Sequence, residues 1–196
     1  MAQQKSAFRL IVEPLAIALA LAAGVRAACS IYSIPSASMM PSLQVGDHIV
    51  VTPYRLSAPD RGDVIVFHAP ENQSEFVVKR IIGMPGDVID TRAGRVRIGD
   101  HTLAEPYLFK QAASGSIQPL VIPHDSFFVM GDNREDSVDS RRWGTLRRDL
   151  VVGRVRLVLW SSGEAGGDRA AVATTRSRER GAAGSFRLSR IFKWIG

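Results

Sequence analysis

Between residues 45 and 160 the sequence is a succession of short Val-, Ile- and Phe-rich runs cut by Gly, Pro, Asn and Asp. That pattern leaves room for little but β-structure. The runs fall at 45–52, 63–68, 76–82, 88–90, 95–98, 126–130 and 151–160. Gly46-Asp47, Arg61-Gly62-Asp63, Pro85-Gly86-Asp87 and Gly131-Asp132-Asn133 supply the turns between and around them. Apolar residues at helical spacing are nearly absent from this stretch. The spacing predicts a mainly β domain over 31–160, an antiparallel sheet or partly open barrel.

Composition narrows what such a domain can do. The one cysteine, Cys29, can close no internal disulfide. His48, His68, His101 and His124 are scattered without metal-ligand spacing, so neither a metal nor another cofactor is expected. Charge is unevenly placed. The chain carries a net +6, and 163–196 hold seven basic residues against Glu164, Asp168 and Glu179. A basic tail of this kind serves as a solvated loop, or meets anionic lipid or nucleic acid.

The two ends differ from the middle. Lys5 and Arg9 precede an apolar run over 10–30 that Glu13 and Arg26 interrupt. With those two charges reaching opposite interfaces, the run is a weak membrane span, and the basic flank puts the N-terminus in the cytoplasm. A removable secretion signal has the same anatomy; the uncleaved anchor is the preferred reading. Residues 161–185, made mostly of Gly, Ala, Ser, Thr and Arg, read as a flexible insertion. In 186–196, Leu188, Ile191, Phe192 and Ile195 share one helical face, suiting a segment that packs on the domain or lies on a membrane surface.

Three segments carry chemistry-bearing residues. Ser36-Ala37-Ser38-Met39-Met40-Pro41-Ser42-Leu43 places small hydroxyls among apolar residues just after the apolar run. Lys79 sits inside Phe76-Val77-Val78-Lys79-Arg80-Ile81-Ile82, on a strand face with Val77 and Ile81, while Arg80 points the other way. A lysine held on an apolar face tends to lose its proton, and a neutral amine can act as a general base. The third segment, 131–144, is dense in Asp, Asn, Ser and Arg, but its glycine and glutamate positions do not fit an EF-hand calcium loop.

In order and spacing, SASMMPSL (36–43), VVKRIIGMPGD (77–87) and GDNREDSVDSRRWG (131–144) resemble the bacterial type I signal peptidases, membrane-anchored serine proteases of the Ser-Lys type. The resemblance implies Ser38 as nucleophile and Lys79 as its general base. It further implies Ser36 and the Ser38 amide as the oxyanion hole, and Ser137 as a partner that orients the lysine amine. Asp139 and Arg141 match a supporting ion pair, with Arg80 close by. Ile34, Pro35, Met39, Leu43, Ile49 and Val78 match positions lining shallow substrate pockets. Val77 stands where the family often has a bulkier aromatic, and the stretch 88–125 is shorter than in larger members.

The implied activity is removal of N-terminal signal peptides from secretory preproteins with small residues before the cut. The implied location is the bacterial inner membrane, in a single pass, with the 31–160 domain on the periplasmic side, in contact with lipid and without nucleic acid. Two rivals remain at this level. One is a conjugation-type Ser-Lys processing peptidase; the other is a membrane-tethered, non-enzymatic binding protein that works through its basic tail.

Overall fold

A computed structural model describes residues 7–54, 57–108, 110, 116–162 and 193–195. The chain divides into two units, 1–30 and 31–196. The first contains helix α1 (Ala7–Ala28). Its aliphatic side chains Ile11, Leu15, Ile17, Leu19 and Leu21 are all exposed. Among the described residues no helix is long and apolar enough to cross a membrane.

The second unit is mainly β and antiparallel. Its larger sheet comprises β1 (Ser30–Ser33), β2 (Asp47–Thr52), β3 (Val64–His68), β4 (Phe76–Gly83), β9 (Ser126–Met130), β10 (Leu146–Arg147), β11 (Val151–Ser161) and β12 (Lys193–Trp194). The order is β1-β2-β11-β3-β4-β9-β10, with β12 on β11. A second sheet of β5 (Val88–Arg92), β6 (Arg95–Ile98), β7 (His101–Thr102) and β8 (Ile117–Val121) has the order β7-β6-β5-β8. A short helix, α2 (Ser140–Trp143), follows β9. β2 alternates buried and half-buried positions, as a strand with one covered face must. β3 and β9, inside the sheet, are buried almost throughout and accordingly lack alternation in sequence.

Three apolar clusters fill the unit. Ile34, Met39, Leu43, Ile49, Val66 and Val158 belong to one, Ile65, Phe67, Ile81, Phe127 and Leu146 to another, and Ile82, Ile89, Val96, Ile122 and Phe128 to the third. Gly83 is required where β4 passes the third cluster, since a Cβ there would overlap the Ile122 side chain and meet Phe128 Cβ at 3.1 Å.

Five of the strands fall outside the runs expected from sequence: β1, β7, β8, β10 and β12. Four of them have four residues or fewer and are recruited by a neighbour. β8 carries Gln118 and Pro119 and is largely exposed at a sheet edge, where proline is tolerated. The helical face expected over 188–195 is replaced at its described end by strand pairing: Trp194 pairs with Leu157, and Ile195 is buried in the first cluster. The expected flexible insertion, 161–185, lies outside the described residues except at 161–162.

Candidate active site

Two segments remote in sequence meet at the site. Residues 36–43 form consecutive turns, closed by hydrogen bonds from the Met40 N–H to the Ala37 carbonyl (3.0 Å) and from the Leu43 N–H to the Met39 carbonyl (2.9 Å). Met39 and Leu43 anchor these turns in the first apolar cluster, which leaves Ser38 on the outer side, 8% exposed. Lys79 lies within β4 opposite Ile65 of β3, so its stem sits on the apolar surface that Ile65 and Ile81 help form. Its amine donates to Ser38 Oγ at 2.6 Å. Ser36 Oγ also lies within reach, 3.2 Å from Ser38 Oγ.

Lys79 is 4% exposed. Burial pulls its pKa down from 10.5 to about 8; Asp139 pushes back and Arg141 adds to the fall. A minority of the amine is therefore already neutral near physiological pH, and it stands at hydrogen-bond distance from a serine hydroxyl. That pair can move a proton off Oγ and return it, the requirement for a serine nucleophile lacking a histidine.

The 131–144 segment braces both partners. Asp139 is fully buried and caps α2 by accepting from the Arg141 N–H at 3.2 Å. It also accepts from the Gly131 N–H at 3.0 Å, from the Ser137 hydroxyl at 2.7 Å, and from two Arg141 guanidinium nitrogens at 2.7 and 2.8 Å. Burial alone would raise the Asp139 pKa, but the Arg141, Gly131 and Ser137 donors outweigh it and hold the carboxyl below its usual value. The ion pair expected between Asp139 and Arg141 is therefore present. Ser137 differs from expectation. Among the described residues its hydroxyl is bonded to Asp139, and the Lys79 amine is bonded to Ser38. A buried carboxylate is the stronger acceptor for the hydroxyl proton. Ser137 lies near the Ser38 backbone, since a Cβ at Gly131 would touch Ser137 Oγ and sit 2.5 Å from the Ser38 carbonyl oxygen.

Arg80 is not part of the Asp139–Arg141 pair. It makes its own two-pronged contact with Asp132 (2.9 and 2.7 Å), donates to the Gly62 carbonyl (2.7 Å) and to Ser42 Oγ (3.2 Å), and stacks 4.1 Å above the Tyr107 ring.

The family profile described as "Signal peptidase, peptidase S26" matches residues 8–160, which include all of these side chains. The chain belongs to this family. A signal peptidase I of Leptolyngbya laminosa is 36% identical over 159 residues, 76% of this chain and 78% of that protein. Signal peptidase IB of Staphylococcus aureus is 32% identical over 152 residues, 68% of this chain and 78% of that protein. A crystal structure of a signal peptidase I from Enterococcus faecalis aligns with TM-score 0.46 at 32% identity, covering 50% of this chain and 97% of that one.

In this family member, a cleft of about 100 Å³ opens beside the Ser38–Lys79 pair. Ile34, Pro35, Met39 and Val78 line it. Leu43 and Ile49 do not; both are fully buried in the cluster beneath, because Leu43 closes the serine turn from inside and Ile49 takes an inward position of β2. Val77, which stands where the family often has a bulkier aromatic, also lines the cleft, as do Tyr32, Val66 and Phe76, which the sequence does not single out. The signal for Phe76 lies in its place ahead of Lys79 in the same strand. Asp132 and Asn133 were likewise inside a recognised motif, but nothing in the motif names their partners. Among the described residues no group of His, Cys, Asp and Glu could hold a metal ion.

Proposed function

We propose that this chain is a membrane-bound serine endopeptidase that removes N-terminal signal peptides from secretory preproteins. The observation that carries the reading is the 2.6 Å contact between a buried lysine of lowered pKa and a serine hydroxyl. Membership of the signal peptidase family favours it over a non-enzymatic tether and over a conjugation-type processing peptidase.

Neutral Lys79 takes the Ser38 proton as Oγ attacks the scissile carbonyl. The Ser36 hydroxyl and the Ser38 N–H stabilise the resulting oxyanion; one such donor is worth about 3 kcal/mol. Lys79 then passes its proton to the departing amine, which leaves as the new N-terminus of the mature protein. The amine, neutral again, deprotonates a water that hydrolyses the Ser38 ester and frees the signal peptide. Asp139 and Arg141, with Ser137, keep the 131–144 segment against the dyad. Ile34, Pro35, Met39 and Val78, on the walls of a narrow cleft, admit small side chains before the cut and exclude large ones.

Helix α1 is the proposed single-pass anchor in the bacterial inner membrane, with 31–160 on the periplasmic side. Only the twelve residues 14–25 lie uninterrupted between Glu13 and Arg26, so the span needs both charges drawn to the headgroups. Aliphatic side chains exposed along α1 support this reading. An anchor ending at Ala28, ten residues before Ser38 in the sequence, tethers the peptidase to the membrane that its preproteins cross and so raises their effective concentration. Lipid is a partner on this reading; nucleic acid is not.

The test is cleavage of a detergent-solubilised preprotein carrying an Ala-x-Ala site by wild type, Ser38→Ala and Lys79→Ala across pH. Wild type should cut and both variants should not. Cleavage by either variant would refute the dyad, and unchanged function of Ser38→Ala with loss on deleting 163–196 would favour the binding protein.

A further inference from the structure

Asn133 grips the nucleophile's backbone from both sides. Its main-chain N–H donates to the Ser38 carbonyl at 3.0 Å, and its side-chain Nδ2 donates to the Ala37 carbonyl at 3.2 Å. Asn133 is itself fixed, since its carbonyl accepts from the Asp136 N–H at 3.1 Å. The Ala37 oxygen also accepts from the Met40 N–H at 3.0 Å, so both of its lone pairs are used.

A trans peptide is planar, with its C=O and N–H pointing in opposite directions. Holding the Ala37 oxygen therefore aims the Ser38 N–H the other way. Among the described residues that N–H has no acceptor. An unsatisfied, oriented N–H beside Ser38 Oγ is what a developing oxyanion needs, and its value depends on not having to reorient during the reaction.

We infer that Asn133 is a positioning residue that presets the oxyanion hole by locking the two peptide planes flanking Ser38. The inference rests on the peptidase reading given above. It assigns the Nδ2 contact to the transition state: the bound peptide needs neither the locked plane nor the aimed N–H, whereas the tetrahedral adduct needs both.

The experiment compares wild type, Asn133→Ala and the near-isosteric Asn133→Asp as full chains in detergent, with rates expressed per active site titrated by an acylating agent. Asn133→Ala keeps the main-chain bond to Ser38 and loses the one to Ala37; Asn133→Asp turns a carboxylate oxygen toward the Ala37 carbonyl. The expected result is a fall in kcat of about 10²-fold for both, with KM and the pH limb near 8 unchanged. The affinity of a peptide boronate ending in Ala, which forms a tetrahedral adduct on Ser38, should fall by the same factor. An unimpaired kcat in either variant, or a lowered kcat with boronate affinity intact, overturns the assignment while leaving the peptidase reading in place. A wild type inert toward every preprotein overturns both.

Discussion

Lys79 and Arg80 are consecutive residues of β4 whose cationic ends leave opposite faces of the strand and meet opposite surroundings. Lys79 reaches a neutral hydroxyl, Ser38 Oγ, at 2.6 Å, while Arg80 closes on the Asp132 carboxylate at 2.9 and 2.7 Å. Both are 4% exposed. One cation is therefore compensated in place, and the other is pressed to give up its proton. The alternation of a strand lets one dipeptide supply both a structural charge and a base.

The base sets a pH limb. With its pKa lowered to about 8, Lys79 is protonated and inert in acid and becomes competent as pH rises through that value. The kcat/KM of wild type on an Ala-x-Ala peptide should climb with an apparent pKa near 8 and then level. Ser38→Ala and Lys79→Ala should each lose at least about 10³-fold at the plateau. A limb near the usual lysine value would show that burial does not tune the amine.

The same shift makes Lys79 costly for folding. Its pKa is about 8 when folded against 10.5 unfolded, so between those values the unfolded chain binds more protons and stability rises with pH. Below about 8 both states are protonated and the penalty is full. Lys79→Met should therefore be more stable than wild type at pH 7, by about 2 kcal/mol after allowing for the lost Ser38 bond. The advantage should shrink as pH climbs from 8 towards 10.5. Thermal melts of the full chain in nonionic detergent at pH 7 and pH 10 would check both the sign and the window.

Arg80 predicts the opposite behaviour. Arg80→Met strands a buried Asp132 carboxylate and should cost about 3–5 kcal/mol, whereas Arg80→Met with Asp132→Leu should recover most of that loss. A double variant as unstable as the single one would mean that the contacts of Arg80 with Gly62, Ser42 and Tyr107 matter more than the charge pair.

Asp139 should make the fold acid-labile. Its carboxyl is held below the usual value, so it contributes stability above the ordinary carboxylate pKa and loses it as pH falls through the lowered one. Asp139→Asn should melt well below wild type at pH 7, by about 2–4 kcal/mol, with the gap narrowing toward pH 3. A gap independent of pH would assign the loss to packing rather than to the charge.

How far the sequence discloses this molecule depends on what holds each part in place. Strands with their own pattern, such as 126–130 and 95–98, are read directly because their side chains state their burial. β1 and β12 are not, since their pairing comes from β2 and β11 and not from their own few residues. The dyad was legible because a lysine on an apolar strand face contradicts its surroundings, and because the motif around Ser38 is distinctive. The partners were less so. That Ser137 would bond Asp139, that Arg80 would take Asp132 52 residues away, and that Ile49 would lie under the cleft rather than in its wall are matters of side-chain direction, which spacing does not encode.

The two strands that flank the chemistry, β2 after Ser38 and β3 before Lys79, are not neighbours in the sheet; β11 runs between them. Ribosomal synthesis delivers β11 after every other described strand but β12. The sheet bonding that aligns serine with lysine therefore cannot close until residues 151–161 have emerged and threaded the gap. A chain stopped short of β11 thus holds the nucleophile and the base without the strand that joins their halves of the sheet.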